Sequence, residues 1–335
     1  MMANPLGLVR TVVAAVGVVV ACASCAGANR PTVAPRTPTA DEAAWVTALL
    51  GSKPELSLFV RPNGLRSDAY WGSLVGQLLG RPDQRDDFIS HGSGNMILNA
   101  RQIDMHFSIR DPIAFRQREA KSDPRSIGWV GVIHGMVPLD PLGLRSGAGR
   151  PMFAPAWRLP SGVAMFPPDQ AYAAEYGEFA PTLFILPDGT CVVTEQVTGP
   201  RAYAFFSANR PITPPLDASA EALAGVTFGI TSMRFLSSRK HDQTALLQGA
   251  TSGAFGVRGG TNGAVEGYVD YASSDDAERG YQALERTCAG RAEGCIVDPT
   301  MFRDAQADRQ GSRITVSLAF TESMLNSLRN TKLGQ

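Results

Sequence analysis

Alternation of apolar and polar positions is clearest toward the C-terminus. Val265, Gly267, Val269 and Tyr271 interleave with Glu266, Tyr268 and Asp270, which predicts a strand with one drier face. Ser273 and Asp276 form a capping-box pattern, and Ala277, Tyr281, Leu284 and Cys288 then fall on one helical face. Ile314, Val316, Leu318 and Phe320 alternate with Arg313, Thr315 and Ser317 as a second strand, and Thr321 opens a last helix with Met324, Leu325 and Leu328 inside.

The N-terminal half repeats this logic less cleanly. Asp41 to Leu50 predicts a helix with Ala44, Trp45 and Leu49 on one side. Glu55 to Arg61 predicts a strand with Leu56, Leu58 and Val60 inward and Ser57 and Arg61 outward. After a Pro62-Asn63-Gly64 turn, Ser67 caps a helix carrying Trp71, Leu74, Val75, Leu78 and Leu79. Apolar, β-branched runs lie within Met96 to Arg110 and Ile127 to Val137, and Thr182 to Ile185 and Cys191 to Val193 flank the hairpin signal Pro187-Asp188-Gly189.

Between these, Asp140 to Ala180 is crowded with Pro and Gly and predicts a long irregular excursion. Its aromatics Phe153, Trp157, Phe166, Tyr172, Tyr176 and Phe179 either line a binding surface or, the commoner case, pin the loop to the core. Arg201 to Asn209 is a short helix, and the three prolines of Arg210 to Pro215 mark a boundary. Beyond it, Ala224 to Leu236 predicts a strand and Thr244 to Gly249 a helical turn. The glycine-rich Gly256 to Gly263 fits neither a phosphate-binding loop nor a dinucleotide fingerprint and is taken as a flexible connection. The whole predicts an α+β fold: a largely antiparallel sheet, or sheets, with helices packed on one side. The strand-to-helix unit at 55–79 resembles the C-terminal one and suggests two similar halves, 41–212 and 213–335.

The first 21 residues stand apart. Arg10 carries the one side-chain charge of residues 1–10, and Thr11 to Ala21 is an uncharged block rich in Val and Ala. Crossing a hydrocarbon core needs about 20 apolar residues, so this block is too short to span and fits a secretory signal instead. It ends in Val19-Val20-Ala21-Cys22, a stretch that resembles the lipobox of bacterial lipoproteins. That resemblance implies cleavage before Cys22, diacylglycerol on its thiol, acylation of the new amino terminus and attachment to a lipid bilayer. Ala23 in place of an Asp after the cysteine implies the outer membrane. Cys25 is the rival acceptor and fits less well, since it would put Cys22 at the aliphatic position of the box. Residues 22–40 then form a proline-dotted spacer. Cys22-Ala23-Ser24-Cys25 is also a C-x-x-C, but no strand-to-helix context, second pair or following His supports redox, metal or haem chemistry.

The chain has 335 residues, with 31 basic and 31 acidic side chains. That balance gives no general electrostatic case for nucleic acid, and the longest local basic patch is Ser238-Arg239-Lys240-His241. Hydrophobic residues make up 44%, enough for a core, and 34 Gly with 23 Pro imply many turns. Cys288 and Cys295 bracket a short glycine-containing loop, the arrangement of a disulfide in an exported protein, and Cys191 is left as a buried thiol in a strand.

Candidate chemistry is thin. Asp104 and His106 share a face if they lie on a strand, and with His91 they would make a two-His, one-carboxylate set suited to zinc or iron. An ordinary sheet surface with an unrelated loop histidine explains the same residues. Ser93, in His91-Gly92-Ser93-Gly94, is better read as a turn residue than a nucleophile, and neither G-x-S-x-G nor S-x-x-K occurs. Asp304, Asp308 and Gly311 miss the spacing of a calcium loop. No cofactor is implied. These features point to a membrane-tethered envelope lipoprotein with a binding or assembly role toward an unidentified ligand or envelope protein, with an envelope hydrolase as the alternative.

Overall fold

The computed structural model describes residues 40–69, 71–72, 100–110, 127–135, 141–144, 149–177, 180–208, 222–229, 248–259, 263–288 and 305–319. The predicted lipidation site at Cys22 or Cys25, His91, and Cys295 lie outside them, as does the side chain of Cys288. The chain divides into two compact units, the first built mainly from residues 38–66 and 75–219 and the second from 67–74 and 220–335. Both are strand-rich α+β structures, and among the described residues the strand pairings within each unit are antiparallel.

The first unit begins with helix α1 (Ala40–Leu50) and strand β1 (Leu56–Val60), followed by a short helix α2 (Pro62–Ser67). Then come β2 (Gln102–Ile109), β3 (Ile127–His134), β4 (Trp157–Arg158), β5 (Ala164–Phe166), helix α3 (Gln170–Tyr176), β6 (Thr182–Ile185), β7 (Cys191–Thr194) and helix α4 (Gly199–Ser207). The strands lie in the order β1-β2-β3-β7-β6-β5-β4. Because side chains alternate across a strand, this sheet has two distinct faces. On one, Val130, Val132, Met165, Phe184 and Val192 pack against Trp45, Val46, Leu49 and Leu50 of α1 and Ala202 and Phe206 of α4. On the other, Ile133, Phe166, Leu183 and Cys191 pack against Met152, Phe153 and Tyr172 of α3. Helices on one side therefore describes α1 and α4 but not α3. A sheet with apolar residues on both faces must be covered on both.

The 140–180 excursion is more regular than its composition suggests, since it contains a 3-10 turn at Pro141–Gly143, the β4–β5 hairpin and α3. Asp169 caps α3 by accepting from the Ala171 and Tyr172 amides at 2.9 and 3.4 Å. Phe153, Phe166 and Tyr172 are core residues, Tyr176 stacks on Tyr172 with centroids 4.4 Å apart, and Trp157 stands exposed; Phe179 lies outside the described residues.

α1 ends at Gly51, whose φ is +79° and whose amide donates to Thr47 O at 2.8 Å. The Arg201 guanidinium of α4 donates to the Leu50 carbonyl at 2.5 Å, and Trp45 meets Phe205 edge-on at 6.5 Å, so α1 and α4 lock together over the sheet. Burial on α1 follows Glu42, Trp45, Val46, Leu49 and Leu50, while Ala44 is exposed. β1 also departs from its predicted pattern, because Ser57 and Phe59 are buried along with Leu56 and Leu58. Asp68, one residue beyond the expected cap at Ser67, accepts the Trp71 amide at 2.9 Å.

The second unit contains β8 (Ala222–Phe228), β9 (Ala250–Arg258), β10 (Ala264–Tyr271), helix α5 (Ser274–Cys288), β11 (Ala305–Gln310) and β12 (Arg313–Ala319), with strand order β8-β9-β10-β12-β11. Ser273 caps α5, its Oγ accepting from the Asp276 amide at 3.1 Å and donating to the Asp276 carboxylate at 2.6 Å. Val265, Val269, Ile314, Val316 and Leu318 are buried, as are Ala277 and Leu284 of the helix. Residues 256–258, expected in a flexible connection, are the end of β9. No described helix is long and apolar enough to cross a membrane.

Candidate functional site

β2 carries an unusual sequence for a buried strand. Gln102, Asp104, His106 and Ser108 alternate onto the face that α1 covers, and all four are buried. Sheet register places His106 beside Ser57 of β1 on one side and Val130 of β3 on the other, with Asp104 beside Val132 and Gln102 beside His134. A polar lane thus runs beneath α1 where apolar side chains would be the ordinary filling.

Two hydroxyl–imidazole–carboxylate chains occupy this lane. In the first, Ser57 Oγ and His106 Nδ1 are hydrogen-bonded at 2.9 Å, and His106 Nε2 faces Glu42 Oε1 of α1 at 3.8 Å. In the second, His134 Nε2 faces Asp104 Oδ2 at 3.8 Å, Gln102 Nε2 donates to the same oxygen at 2.7 Å, and Thr190 Oγ1 lies 3.5 Å from His134 Nδ1. Buried charge persists in proteins when it is paired and hydrogen-bonded; here Ser57 and Gln102 supply hydrogen bonds, whereas each imidazole–carboxylate contact, at 3.8 Å, is an ion-pair distance and not a hydrogen bond.

The residue types are those of a nucleophilic hydrolase, so access decides the reading. A serine nucleophile must present its oxygen to a substrate carbonyl, with donors poised for the developing oxyanion. Ser57 is 9% exposed, His106 1% and Glu42 3%. The hydroxyl and imidazole lie within the sheet–helix interface, where a substrate has no approach in this conformation. The lane acts as a polar layer that fixes how α1 sits on β1 and β2.

Of the set predicted from sequence, Asp104 and His106 do share a strand face, but each has its own partners, and neither belongs to a sheet surface. Among the described residues no three His, Cys, Asp or Glu side chains are grouped to hold a metal ion. Glu42, Ser57 and His134 were not singled out from sequence. The available signal was Glu42 itself, which sits at the helical spacing of Trp45, Val46 and Leu49 and so on the stripe that must be buried.

At the end of the lane, Arg110 Nη2 donates to Glu195 Oε1 at 2.8 Å and to Thr198 Oγ1 at 2.6 Å, and Glu195 Oε2 accepts the Thr198 amide at 2.7 Å where α4 begins. On the opposite sheet face, Cys191 is a buried thiol, and burial, with Asp188 nearby, pushes it up to about 11. It is a packed hydrophobe and not an activated nucleophile. Burial likewise raises the Tyr172 and Tyr271 hydroxyls.

In the second unit the polar side of the sheet is organised by Arg313, which donates to Asp270 through Nε at 2.6 Å and Nη2 at 2.9 Å and lies 4.1 Å from the centroid of the Tyr268 ring. Exposed large apolar side chains among the described residues are Leu142, Trp157, Val197 and Tyr203, with Trp157, on the edge strand β4, the most exposed at 61%.

Neither a protein-family model nor a curated protein matches this sequence. The solved structure of TP0453 overlaps 84% of this chain and 95% of that one at 10% identity, with a TM-score of 0.41.

Proposed function

We propose that this chain is an envelope lipoprotein, held to a bilayer by acyl chains on Cys22, with Cys25 as the alternative acceptor, whose folded part serves binding or assembly and not catalysis. The observation that carries the non-catalytic half is the enclosure of both hydroxyl–imidazole–carboxylate chains beneath α1, while the most exposed large apolar side chain among the described residues is Trp157, at a sheet edge. A large, rigid aromatic with a polar N–H is the kind of side chain that anchors a protein contact. The tethering half rests on the lipobox-like stretch, the short apolar block before it and the spacer after it. With several acyl chains, at about 0.8 kcal/mol for each buried methylene, the attachment would be stable, and Ala23 favours the outer membrane. The proposed Cys288–Cys295 bridge suits the same exported setting.

Mass spectrometry of the mature N-terminus, beside a Cys22→Ser variant, tests the tether. An acylated Cys22 in the native protein and a soluble, unacylated variant are expected. Identical, unmodified protein released from both would refute it.

A further inference from the structure

We propose that docking of α1 onto its sheet takes up a proton at the Glu42–His106 pair, so that the first unit grips its N-terminal helix more firmly in mild acid than in alkali. This is independent of whether the chain is lipidated.

Glu42 is the one buried acid on a stripe otherwise made of Trp45, Val46, Leu49 and Leu50, and α1 cannot bury those four without carrying the carboxylate to His106. The charged and titratable groups around the pair are placed as follows among the described residues. α1 adds Asp41, which is exposed, and β1 contributes Ser57 and Phe59, neither of which titrates in the relevant range. β2 contributes Asp104 two residues along, held by Gln102 and facing His134 of β3. Arg110 lies four residues further along from His106, paired with Glu195.

With α1 undocked, Glu42 and His106 are in water, where at neutral pH one is a carboxylate and the other mostly a neutral imidazole. Docking brings them to 3.8 Å in a nearly dry interface. There an opposite charge favours the imidazolium, and burial disfavours a pair with net charge. The docked pair therefore holds one more proton than the undocked pair. By linkage the docking equilibrium is at its most favourable between about pH 4.3 and 6.5, the ordinary glutamate and histidine values, and weakens by up to tenfold per pH unit above that window until the docked pair releases its proton.

Amide hydrogen exchange on the full chain, corrected for the intrinsic chemical rate, tests this between pH 6 and 9. Protection of residues 43–50 should fall with pH by up to tenfold per unit, while that of β6 and β7 falls less. Glu42→Gln should flatten the α1 dependence, and Asp41→Asn, on the exposed side of the same helix, should keep it. A pH-independent α1 in the native protein, or an unchanged slope in Glu42→Gln, would overturn the proposal. Should Glu42→Gln fail to fold, the His106 ring followed by NMR in the native protein decides: titration at or below about 6.5, the ordinary value, overturns it.

Discussion

Arg110 and Glu195, 85 residues apart in sequence, meet at 2.8 Å where β2 ends and α4 begins. The guanidinium lies over Gly128, where a β-carbon would come within 2.7 Å of Nη2. One cation thus closes the polar lane and holds the first turn of α4 through both Glu195 and Thr198. The Glu195 side chain is only 4% exposed, so deleting its partner strands a buried carboxylate. Arg110→Ala should cost on the order of 3 kcal/mol, read as a lower urea midpoint at constant slope. Arg110→Lys should recover part of this, because an ammonium restores the charge but not the planar placement of the Nη2 that donates to both partners.

Gly51 answers two demands at once. Its φ of +79° is one that residues with a β-carbon rarely adopt, and that β-carbon would collide with the Arg201 guanidinium bonded to Leu50 O. Gly51→Ala should lower stability by about 1–2 kcal/mol from backbone strain alone. Arg201→Ala combined with it should show less than the sum of the two single effects, because relieving the collision removes part of the penalty.

The alkaline limb of the stability curve should carry the signature of Cys191. Its thiol ionises near 9.0 when free and near 11 in the fold, so between these values the unfolded chain binds fewer protons and stability falls as pH rises. At about 1.4 kcal/mol per unit, the loss approaches about 3 kcal/mol by pH 11. Tyr172 and Tyr271, also raised, act in the same direction at higher pH. Denaturant unfolding at pH 8 and pH 10.5 checks this: Cys191→Ala should be less stable at pH 8, through its cavity, yet lose less between the two values. Iodoacetamide should leave the native thiol unlabelled at pH 8 and modify it once the chain is unfolded.

Legibility in the sequence followed local constraint. The β6–β7 hairpin was readable because Pro187-Asp188-Gly189 dictates a turn between two apolar runs, and α5 because Ser273, Asp276 and an amphipathic face agree. β9 and β11 were not readable. β11 is the edge segment Ala-Gln-Ala-Asp-Arg-Gln, whose strand character comes from its ladder with β12 across the Gly311 turn. β9 contains glycines that suggest a loop, yet Gly253, like Gly267 of the readable β10, leaves room for an aromatic ring, that of Phe228 at the first and Phe255 at the second, which a β-carbon would strike.

By itself the sequence determined the α+β character, the antiparallel pairing implied by its turns, the ends of α1, α4 and α5 to within two residues where they are described, and the N-terminal stretch that resembles a lipobox, because each rests on spacing within a few residues. Only the tertiary structure decided that Gln102, Asp104, His106 and Ser108 are interior. Period-two alternation says which side chains share a face but not whether helix or water covers it. That was settled by α1, whose apolar stripe has one place to go and takes Glu42 with it, so that a sequence resembling an open polar surface became two sealed histidine–carboxylate pairs.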